Sequence, residues 1–526
     1  MKILVAEKIS DKGVEALRQG DTTVDVKMNL AREDLLSIIG EYDAIVVRSV
    51  TKVNEEFYEK AKKLKVVGRA GNGVDNIDME GATKRGIIVA NTPEANTVSA
   101  AEHTIGLLLA SCRNIPRANE RTKNKVWDRN GLKGMELQGK TVGIVGLGRI
   151  GSLVATRLQS FRTKVIAYDP YITDARFKRF GVEKKETLEE LVRESDIITV
   201  HTPKTEETFG MIGEEQFKIA KKGVRVVNCA RGGIINEEAL AKAIKEGIVA
   251  SAGIDVMVGE PNPTSPLIGM ENVVITPHLG ADTVEAQDNV GITIAHEVLS
   301  ALKGEMVPNA VNLPTMHPQE LESLKCYLKL GEILGKLYHQ LEKDPVERVE
   351  IIYSGEVAEL ETKMVTLAVL KGIFETILKE RVNYVNAGVI ADNRGIDITE
   401  SKESIQEKYL NLIQLKITSK DKLFTVSGTV FGKNEIRIVE VNNYELDVTP
   451  STNMLVVENA DKPGMIGQIG TILGASKINI AAMHYGINSS DNQALMFLTV
   501  DSEVPKETEQ LIGNVEGVSK VHFVKL

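Results

Sequence analysis

The chain has 526 residues, of which 42% are hydrophobic and 26% charged, so it is a globular protein too long for a single hydrophobic core. Acidic residues outnumber basic ones, 73 to 64, and the net charge of −9 excludes the broad basic surface that nucleic-acid binding requires. The three cysteines lack metal-ligand spacing, and no apolar run is long enough to span a membrane. We therefore expect a cytoplasmic protein that holds no metal, binds neither nucleic acid nor membrane, and meets any anionic ligand with a few placed arginines.

Residues 1–97 alternate short Val- and Ile-rich strands with helices. This alternation is typical of a parallel, doubly wound sheet with helices on both faces, and we assign it to a first domain. Such sheets bind ligands at the carboxyl ends of their strands, where Val47–Ser49 and Gly68–Asn76 lie. The glycines of the second segment allow backbone N–H groups to face an anion. We expect both segments to contact substrate; the alternative is that these glycines serve turn geometry alone.

A turn-rich segment precedes a helix predicted over Val98–Arg113, which leads into a second domain spanning 98–289. His103 lies on this helix beside leucines, so we expect it to be a packed or capping residue. Trp127 is the only tryptophan in the chain. We expect it to lie in the core or at a subunit contact.

In the second domain, the apolar strand Thr141–Val145 is followed at once by Gly146, Gly148 and Gly151 and then by a helix. The first glycine permits a tight turn, the second admits a pyrophosphate, and the third lets the helix pack on the strand. The helix N-terminus favours the phosphate charge. Asp169 ends the next strand, where a carboxylate accepts the ribose 2′-hydroxyl and repels a 2′-phosphate. The sequence therefore predicts NAD rather than NADP.

The later strands of this domain each end in a polar cluster, and the clusters are His201–Pro203, Asn228–Gly233, Asp255–Glu260 and Pro277–His278. Arg231, Glu260 and His278 follow consecutive strands, so we expect them to converge where the two domains face each other. A histidine takes a hydroxyl proton while hydride leaves the same carbon for nicotinamide. A carboxylate orients that histidine, and an arginine fork binds a substrate carboxylate. The alternatives are a turn role for Glu260 and a strand-cap role for His278.

The C-terminal half differs in character. A helix predicted over Val290–Leu302 returns to the first domain, which residues 290–311 complete. Residues 312–450 mix charged helices with short strands and show no catalytic group, so we expect a scaffold or interaction role. Residues 451–526 are predicted to form β-α-β-β-α-β, a ferredoxin-like unit. The expected architecture is two doubly wound α/β domains, flavodoxin-like and Rossmann, followed by an α+β domain and a ferredoxin-like domain.

Several motifs resemble those of the D-isomer-specific 2-hydroxyacid dehydrogenases, over residues 1 to about 311: Val145–Gly151, Asn228–Gly233, Asp255–Pro261 and Thr276–His278. At full length the chain is similar to the long phosphoglycerate dehydrogenases of this family, which carry an intervening domain and a C-terminal ACT regulatory domain. Arg394–Ile396 and Val426–Thr429 resemble the former, and Asp461–Gly464 with Ile478–Ala481 resembles the latter.

The resemblance implies NAD-dependent oxidation of 3-phospho-D-glycerate to 3-phosphohydroxypyruvate, the first step of L-serine biosynthesis. It implies that His278 and Glu260 form the acid/base pair and that Arg231 binds substrate. The substrate contacts it implies are Arg48, Asn72, Gly73, Arg231 and His278. The cofactor contacts it implies are Gly146, Gly148, Arg149, Ile150, Gly151, Asp169, Thr202, Pro203, Cys229 and Asp255.

Regulation and assembly are also implied by the resemblance. L-serine acts in the family as a feedback inhibitor at an interface between ACT domains, and the matching positions here are Asn459, Asp461 and Asn479. Family members carry an imidazole or phenol where this chain has Asn459, so serine regulation stays open. Paired nucleotide and ACT domains in the family imply a symmetric homo-oligomer, a dimer or tetramer.

Two other functions fit the first 311 residues. One is another D-2-hydroxyacid oxidoreductase, such as a glyoxylate/hydroxypyruvate reductase, although simple reductases of this family end where the catalytic unit closes. The other is an NAD-sensing transcriptional co-repressor on the same fold, whose long disordered tails this sequence lacks. Formate dehydrogenases place glutamine where Glu260 stands, because hydride transfer from formate needs no proton relay.

Overall fold

The computed structural model describes all residues except 315–317, 379–380, 404–407, 421, 433 and 489–491. The described residues form sheets of five, seven, six and four strands in chain order. We number their strands β1–β22 and their helices α1–α17 along the chain. Within the described part of the chain, no helix combines the length and apolarity that crossing a lipid bilayer demands.

The first domain is a parallel sheet in the order β2-β1-β3-β4-β5 with helices on both faces, which confirms the predicted flavodoxin-like fold. Its helices begin at side chains that accept a backbone N–H, such as Ser10, Asn54 and Asp78. The elements are β1 Lys2–Val5, α1 Asp11–Arg18, β2 Thr23–Val26, α2 Arg32–Ile38, β3 Ala44–Val47, α3 Glu55–Lys60, β4 Val66–Arg69, α4 Met79–Lys84 and β5 Ile88–Ala90.

The second domain is a parallel sheet in the order β12-β11-β10-β9-β6-β7-β8, as predicted for a Rossmann domain. The strand order reverses between β6 and β9, so a crevice opens there at the carboxyl edge. The elements are α5 Thr97–Arg113, α6 Ile115–Lys123, β6 Thr141–Val145, α7 Arg149–Gln159, β7 Lys164–Tyr168, α8 Asp174–Phe180, β8 Glu183–Lys184, α9 Leu188–Glu194, β9 Ile197–Val200, α10 Glu214–Ile219, β10 Val224–Asn228, α11 Glu237–Lys245, β11 Val249–Ile254 and β12 Val273–Ile275.

One expectation for this part of the chain was wrong, and one of the two alternatives for Trp127 is excluded. The returning helix α12 spans Val284–Lys303 rather than starting at Val290, because the Thr283 side chain caps it by accepting the Ala286 N–H. The predicted boundary at 289/290 therefore falls inside one helix. Trp127 is 89% exposed in the loop after α6, so it does not belong to the core, and the alternative of a subunit contact stays a prediction.

The C-terminal half contains two further domains. The third has a mixed sheet in the order β14-β13-β15-β16-β17-β18, and the fourth is an antiparallel β-α-β-β-α-β unit in the order β20-β21-β19-β22, which confirms the predicted ferredoxin-like fold. The elements are α13 Pro318–Leu341, β13 Arg348–Gly355, α14 Lys363–Glu375, α15 Ala387–Asn393, β14 Asp397–Glu403, β15 Asn411–Ser419, β16 Lys422–Phe431, β17 Glu435–Val441, β18 Tyr444–Val448, β19 Asn453–Ala460, α16 Met465–Ala475, β20 Ile480–Asn488, β21 Gln493–Val500, α17 Lys506–Gly513 and β22 Val518–Lys525.

Candidate active site

A histidine–carboxylate pair lies at the carboxyl edge of the seven-stranded sheet. His278 Nδ1 is 2.7 Å from Glu260 Oε2, and Glu260 Oε1 accepts the Met257 backbone N–H at 2.7 Å. Burial opposes ionisation of Glu260, but the hydrogen bonds from His278 and Met257 and the neighbouring positive charges outweigh it and lower the pKa of Glu260. The His278 side chain is 49% exposed. With Nδ1 engaged, this exposed ring can offer Nε2 to a substrate proton.

The backbone around His278 is held by a buried carboxylate. His278 adopts φ 57°, a left-handed conformation that is uncommon for a residue with a side chain. Asp255, which ends β11 and is 2% exposed, accepts the Leu279 N–H on Oδ1 and the Gly280 N–H on Oδ2, both at 2.8 Å. Asp255 therefore fixes the loop that carries His278, and its predicted direct contact with the cofactor stays a prediction.

Arg231 joins the two domains across the cleft. It follows β10, and its Nε lies 3.7 Å from Asp75 Oδ2 of the first domain. A Cβ at Gly73 would lie 2.4 Å from Arg231 Nη2, so the guanidinium packs directly against the glycine-rich loop after β4. Asn72, which precedes Gly73 in this loop, is exposed, and its backbone carbonyl accepts a hydrogen bond from the Asn91 side chain. The predicted substrate residues of the two domains are thus adjacent.

Arg69, the last residue of β4, lies in the segment Gly68–Asn76 that was expected to contact substrate, but the sequence analysis did not single it out. Arg69 pairs in register with Val47, so it lies beside Arg48 at the same sheet edge. Burial and the like charges of Arg231 and Arg48 lower the pKa of Arg69 to about 10. Its Nε is buried without a hydrogen-bond partner among the described residues. The cleft therefore holds a cluster of guanidinium groups suited to a multiply charged anion.

The glycine turn after β6 has the geometry that the motif predicts. Gly146 has φ 92°, and a Cβ at Gly151 would lie 2.1 Å from the Gly146 carbonyl oxygen, so both positions need glycine for the turn itself. A Cβ at Gly148, by contrast, would meet nothing within 4 Å. The empty space beside Gly148, at the N-terminus of α7, is where a pyrophosphate fits.

Other predicted cofactor residues surround this turn. Asp169 accepts the Leu147 N–H at 2.9 Å and the Tyr171 N–H at 3.1 Å, which ties the turn to the end of β7. Thr202 packs against Gly146, precedes Pro203, and has an Oγ1 that is buried without a partner among the described residues. An orphaned hydroxyl beside an open glycine turn fits a bound dinucleotide.

The remaining cofactor candidates lie deeper or nearer the first domain. Arg149, followed by Ile150 at the start of α7, has its Nε 3.3 Å from Glu94 Oε1 across the domain boundary. Cys229 is buried at the end of β10. Burial and the charge of Asp255 raise the pKa of the Cys229 thiol to about 12. The thiol is therefore an uncharged side chain that packs in the core rather than a nucleophile.

The predicted effector residues divide into two groups. Asn459 Nδ2 lies 3.3 Å from the Tyr485 hydroxyl, which in turn donates to Asp461 Oδ1 at 3.2 Å. Asn459 is fully buried, and its Oδ1 has no partner among the described residues. Asn479 is exposed and follows the far end of α16, a helix of 11 residues or about 16 Å. One chain therefore does not bring all three residues together.

Comparisons with known proteins agree with this arrangement. Residues 105–280 match the NAD binding domain of the D-isomer specific 2-hydroxyacid dehydrogenases, and residues 323–442 match the D-3-phosphoglycerate dehydrogenase intervening domain. The chain is 44% identical to the D-3-phosphoglycerate dehydrogenase of Archaeoglobus fulgidus over all of both chains. It is 42% identical to that of Methanocaldococcus jannaschii, again over all of both chains, and 42% identical to that of Bacillus subtilis over all of this chain and 99% of the relative.

Solved structures match the first two domains. The D-lactate dehydrogenase of Aquifex aeolicus, solved with NAD and lactic acid, superposes with a TM-score of 0.53 at 28% identity over 60% of this chain and all of its own. The apo D-lactate dehydrogenase of Escherichia coli gives a TM-score of 0.53 at 29% identity over 59% of this chain and all of its own. The C-terminal 40% of the chain is thus what sets it apart from these dehydrogenases.

The glycine turn predicts different effects for two matched substitutions. Gly151→Ala introduces a Cβ against the Gly146 carbonyl, so it should lower the melting temperature of the cofactor-free protein. Gly148→Ala has free space and should leave that temperature unchanged while weakening NAD binding about 10-fold or more, because its methyl takes the pyrophosphate position. Calorimetry with and without NAD measures both effects. Full NAD affinity in Gly148→Ala would mean that the cofactor does not use this turn.

Proposed function

The chain belongs to the D-3-phosphoglycerate dehydrogenases, and we propose that it oxidises 3-phospho-D-glycerate to 3-phosphohydroxypyruvate with NAD, the first step of L-serine biosynthesis. The observation that carries this proposal is the position of the His278–Glu260 pair beside a cleft that holds Arg48, Arg69 and Arg231. The pair supplies proton transfer, and the guanidinium groups supply binding for both anionic ends of the substrate.

The proton path follows from the geometry of the pair. Bound NAD supplies the acceptor for the hydride that leaves the substrate carbon. His278 takes the hydroxyl proton on Nε2 as the carbonyl forms, and Glu260, 2.7 Å from Nδ1, stabilises the resulting imidazolium. Because the pKa of Glu260 is lowered, it stays a carboxylate through the step. Arg231 binds the substrate carboxylate and polarises the adjacent carbonyl oxygen.

The choice of substrate rests on charge. 3-Phospho-D-glycerate carries a phosphate and a carboxylate, whereas glyoxylate and hydroxypyruvate carry a carboxylate alone. Arg231 is sufficient for one carboxylate, and Arg48 with the buried Arg69 adds positive charge that a monoanion does not need. We assign the phosphate to Arg48 and Arg69. The reductase alternative leaves these two arginines without a role.

The catalytic assignment predicts the behaviour of one variant. His278→Ala should lower kcat for NADH formation from 3-phospho-D-glycerate by about 10²–10⁴-fold, because a general base is lost. NAD affinity should be unchanged, since the glycine turn is intact. His296→Ala, at an exposed histidine of α12, is the matched control and should keep full turnover. Turnover of glyoxylate or hydroxypyruvate but not of 3-phospho-D-glycerate by the unaltered chain would favour the reductase.

The phosphate assignment predicts a change in binding alone. Arg48→Ala and Arg69→Ala should each raise KM for 3-phospho-D-glycerate about 10-fold or more, because a hydrogen bond to a charged group contributes about 1.5–3 kcal/mol. Affinity for NAD should not change. Arg32→Ala removes a partly exposed arginine of the same domain, paired with Glu56, and serves as the control. Unaltered saturation by substrate in both cleft variants would refute the assignment.

Feedback regulation by L-serine is also part of the proposal. Asn459 and Asp461 lie together around Tyr485, while Asn479 lies at the other end of α16, so a site that uses all three needs a second copy of the domain. We place the amino acid between two such domains. The buried, unpartnered Oδ1 of Asn459 is an acceptor available for the ammonium group.

The regulatory site predicts a separable loss of control. L-serine should lower the rate of NADH formation by the unaltered chain, and Asp461→Ala should abolish this inhibition while basal turnover stays the same. Asp447→Ala, in β18 of the third domain, is a control that should keep the inhibition. Turnover of the unaltered chain that is indifferent to L-serine would remove serine as the effector without affecting the catalytic assignment.

We further propose a homo-oligomer, a dimer or tetramer. Trp127 and its neighbour Val126 are 89% and 49% exposed, and Ile115 at the start of α6 is 53% exposed. Large apolar side chains grouped on one exposed segment are typical of a protein contact. A second copy of the chain is the partner that the proposed effector site also requires.

This surface predicts the result of a mass measurement. The unaltered chain should have a native mass of two or four times 57.5 kDa, and Trp127→Glu should shift the population toward smaller species. Tyr171→Glu alters another highly exposed aromatic residue and should leave the mass unchanged. A monomeric mass for the unaltered chain would disprove the assembly.

A further inference from the structure

His103 connects helix α5 to the loop that carries His278. Its Nε2 lies 2.9 Å from Thr276 Oγ1 and 3.2 Å from Asp255 Oδ1. Thr276 in turn donates from Oγ1 to Asp255 Oδ1 at 2.5 Å. The expectation of a merely packed or capping histidine is therefore incomplete, because His103 belongs to a hydrogen-bonded group that ends at the catalytic loop.

The direction of these bonds follows from the donors available. The hydroxyl proton of Thr276 is given to Asp255, so Thr276 Oγ1 accepts from its other neighbour. His103 must therefore carry its proton on Nε2 and donate it to Thr276 and Asp255. The same carboxylate accepts the backbone N–H groups of Leu279 and Gly280, directly after His278. One continuous set of hydrogen bonds thus runs from α5 to the backbone of the loop.

Helix α5 contacts this loop at two more points. Ser99 Oγ lies 2.8 Å from Thr283 Oγ1, the residue that caps α12. A Cβ at Gly280 would lie 4.0 Å from Ala100 and 3.1 Å from Asp255 Oδ2, so the loop runs close beneath the helix. Ser99, Ala100 and His103 lie within two turns of the helix that joins the first domain to the second. The loop is therefore held from the interdomain helix as well as from its own sheet.

We propose that His103 is a positioning residue for catalysis, acting through Thr276 and Asp255 to hold His278 in its left-handed conformation. The proposal rests on the proposed function, because it assigns a supporting role to a group behind the proton acceptor. A left-handed backbone at a residue with a side chain is costly by itself and persists only where neighbouring bonds impose it. His103 completes the set of donors that orients the Asp255 carboxylate toward that loop.

A metal site is the other use for these residues. His103 Nε2, Cys229 Sγ and an Asp255 oxygen lie within 4.8 Å of one another. Both oxygens of Asp255 already accept hydrogen bonds from the loop, and Oδ1 also accepts one from Thr276, so a cation there would compete with these donors. The Cys229 thiol is held uncharged by its burial. We therefore assign the group to hydrogen bonding.

The test compares a variant that removes the donor with one that keeps it. His103→Leu should lower kcat roughly 10- to 100-fold, the cost of a small misplacement of a catalytic group, while KM for 3-phospho-D-glycerate and affinity for NAD change less than about 2-fold. His103→Gln keeps an N–H at the Nε2 position and should restore most of kcat. His296→Leu, at the exposed histidine of α12, is the control and should behave like the unaltered chain.

A double-substitution cycle tests the route through Thr276. Thr276→Val should lower kcat, and adding His103→Leu to it should have little further effect, because both remove the same chain of bonds. Three results would overturn the proposal. One is a loss of kcat in the double variant equal to the product of the two single losses. The others are an equal loss of kcat in His103→Leu and His103→Gln, or weakened NAD binding in His103→Leu.

Hydrogen exchange supplies a measurement that does not depend on turnover. The backbone amides of Leu279 and Gly280 donate to Asp255, so exchange in the peptide that covers 276–283 should accelerate at least about 10-fold in His103→Leu and recover in His103→Gln. Unchanged exchange would overturn the positioning role. If the unaltered chain fails to oxidise 3-phospho-D-glycerate, the proposed function fails, whereas the exchange comparison still decides whether His103 holds the loop.

Discussion

Mutual repulsion among three guanidinium groups is the constraint that organises the cleft. Arg48 and Arg69 end neighbouring strands of the first domain, and Arg231 reaches them from the second. The lowered pKa of Arg69 reports both its burial and the two like charges beside it. Carboxylates at Glu7 and Asp75 offset part of this charge. An anion with several negative oxygens is suited to offset the rest, which is why the cleft fits the doubly anionic substrate proposed for it.

The acid/base pair depends on a second constraint, the rigidity of the backbone around it. His278 has little packing of its own, since half of its side chain is exposed, and its position comes from the bonds to Glu260 and to the loop. Glu260 is fixed by the Met257 N–H, and the loop is fixed by Asp255. Nε2 of His278 can therefore face the cleft while Nδ1, Glu260 and Asp255 are held by hydrogen bonds, which is how a site remains preorganised without burying its base.

Features that depend on neighbouring residues in the chain were predictable from the sequence. Features that depend on strand pairing or on residues far apart in the chain were not. The glycine turn was predictable because Gly146 is needed for its own left-handed backbone and Gly151 for its contact with the Gly146 carbonyl, five residues before it. Arg69 was included in the segment Gly68–Asn76 but was not singled out, because its importance comes from the pairing of β4 with β3, which places it beside Arg48. His103 was assigned to packing because its partners, Thr276 and Asp255, lie more than 150 residues along the chain. The exposure of Trp127 depends on where a long loop runs, which periodicity does not specify.

The third domain contacts the first domain on the side away from the cleft. Asn383 donates to the Gly86 carbonyl at 2.7 Å, and Arg381 reaches the Leu64 carbonyl at 3.4 Å. Leu64 and Gly86 precede β4 and β5, so these contacts lie at the amino ends of strands whose carboxyl ends face the ligand. Since β4 carries Arg69 at its other end, the third domain contacts the same strand that contributes Arg69 to the cleft. The fourth domain joins the third through β22 and α13, where the Lys525 N–H donates to Gln340 at 2.7 Å. The fourth domain is thus connected to the first through the packed third domain, and this is the route by which the proposed effector would act on the cleft without touching it.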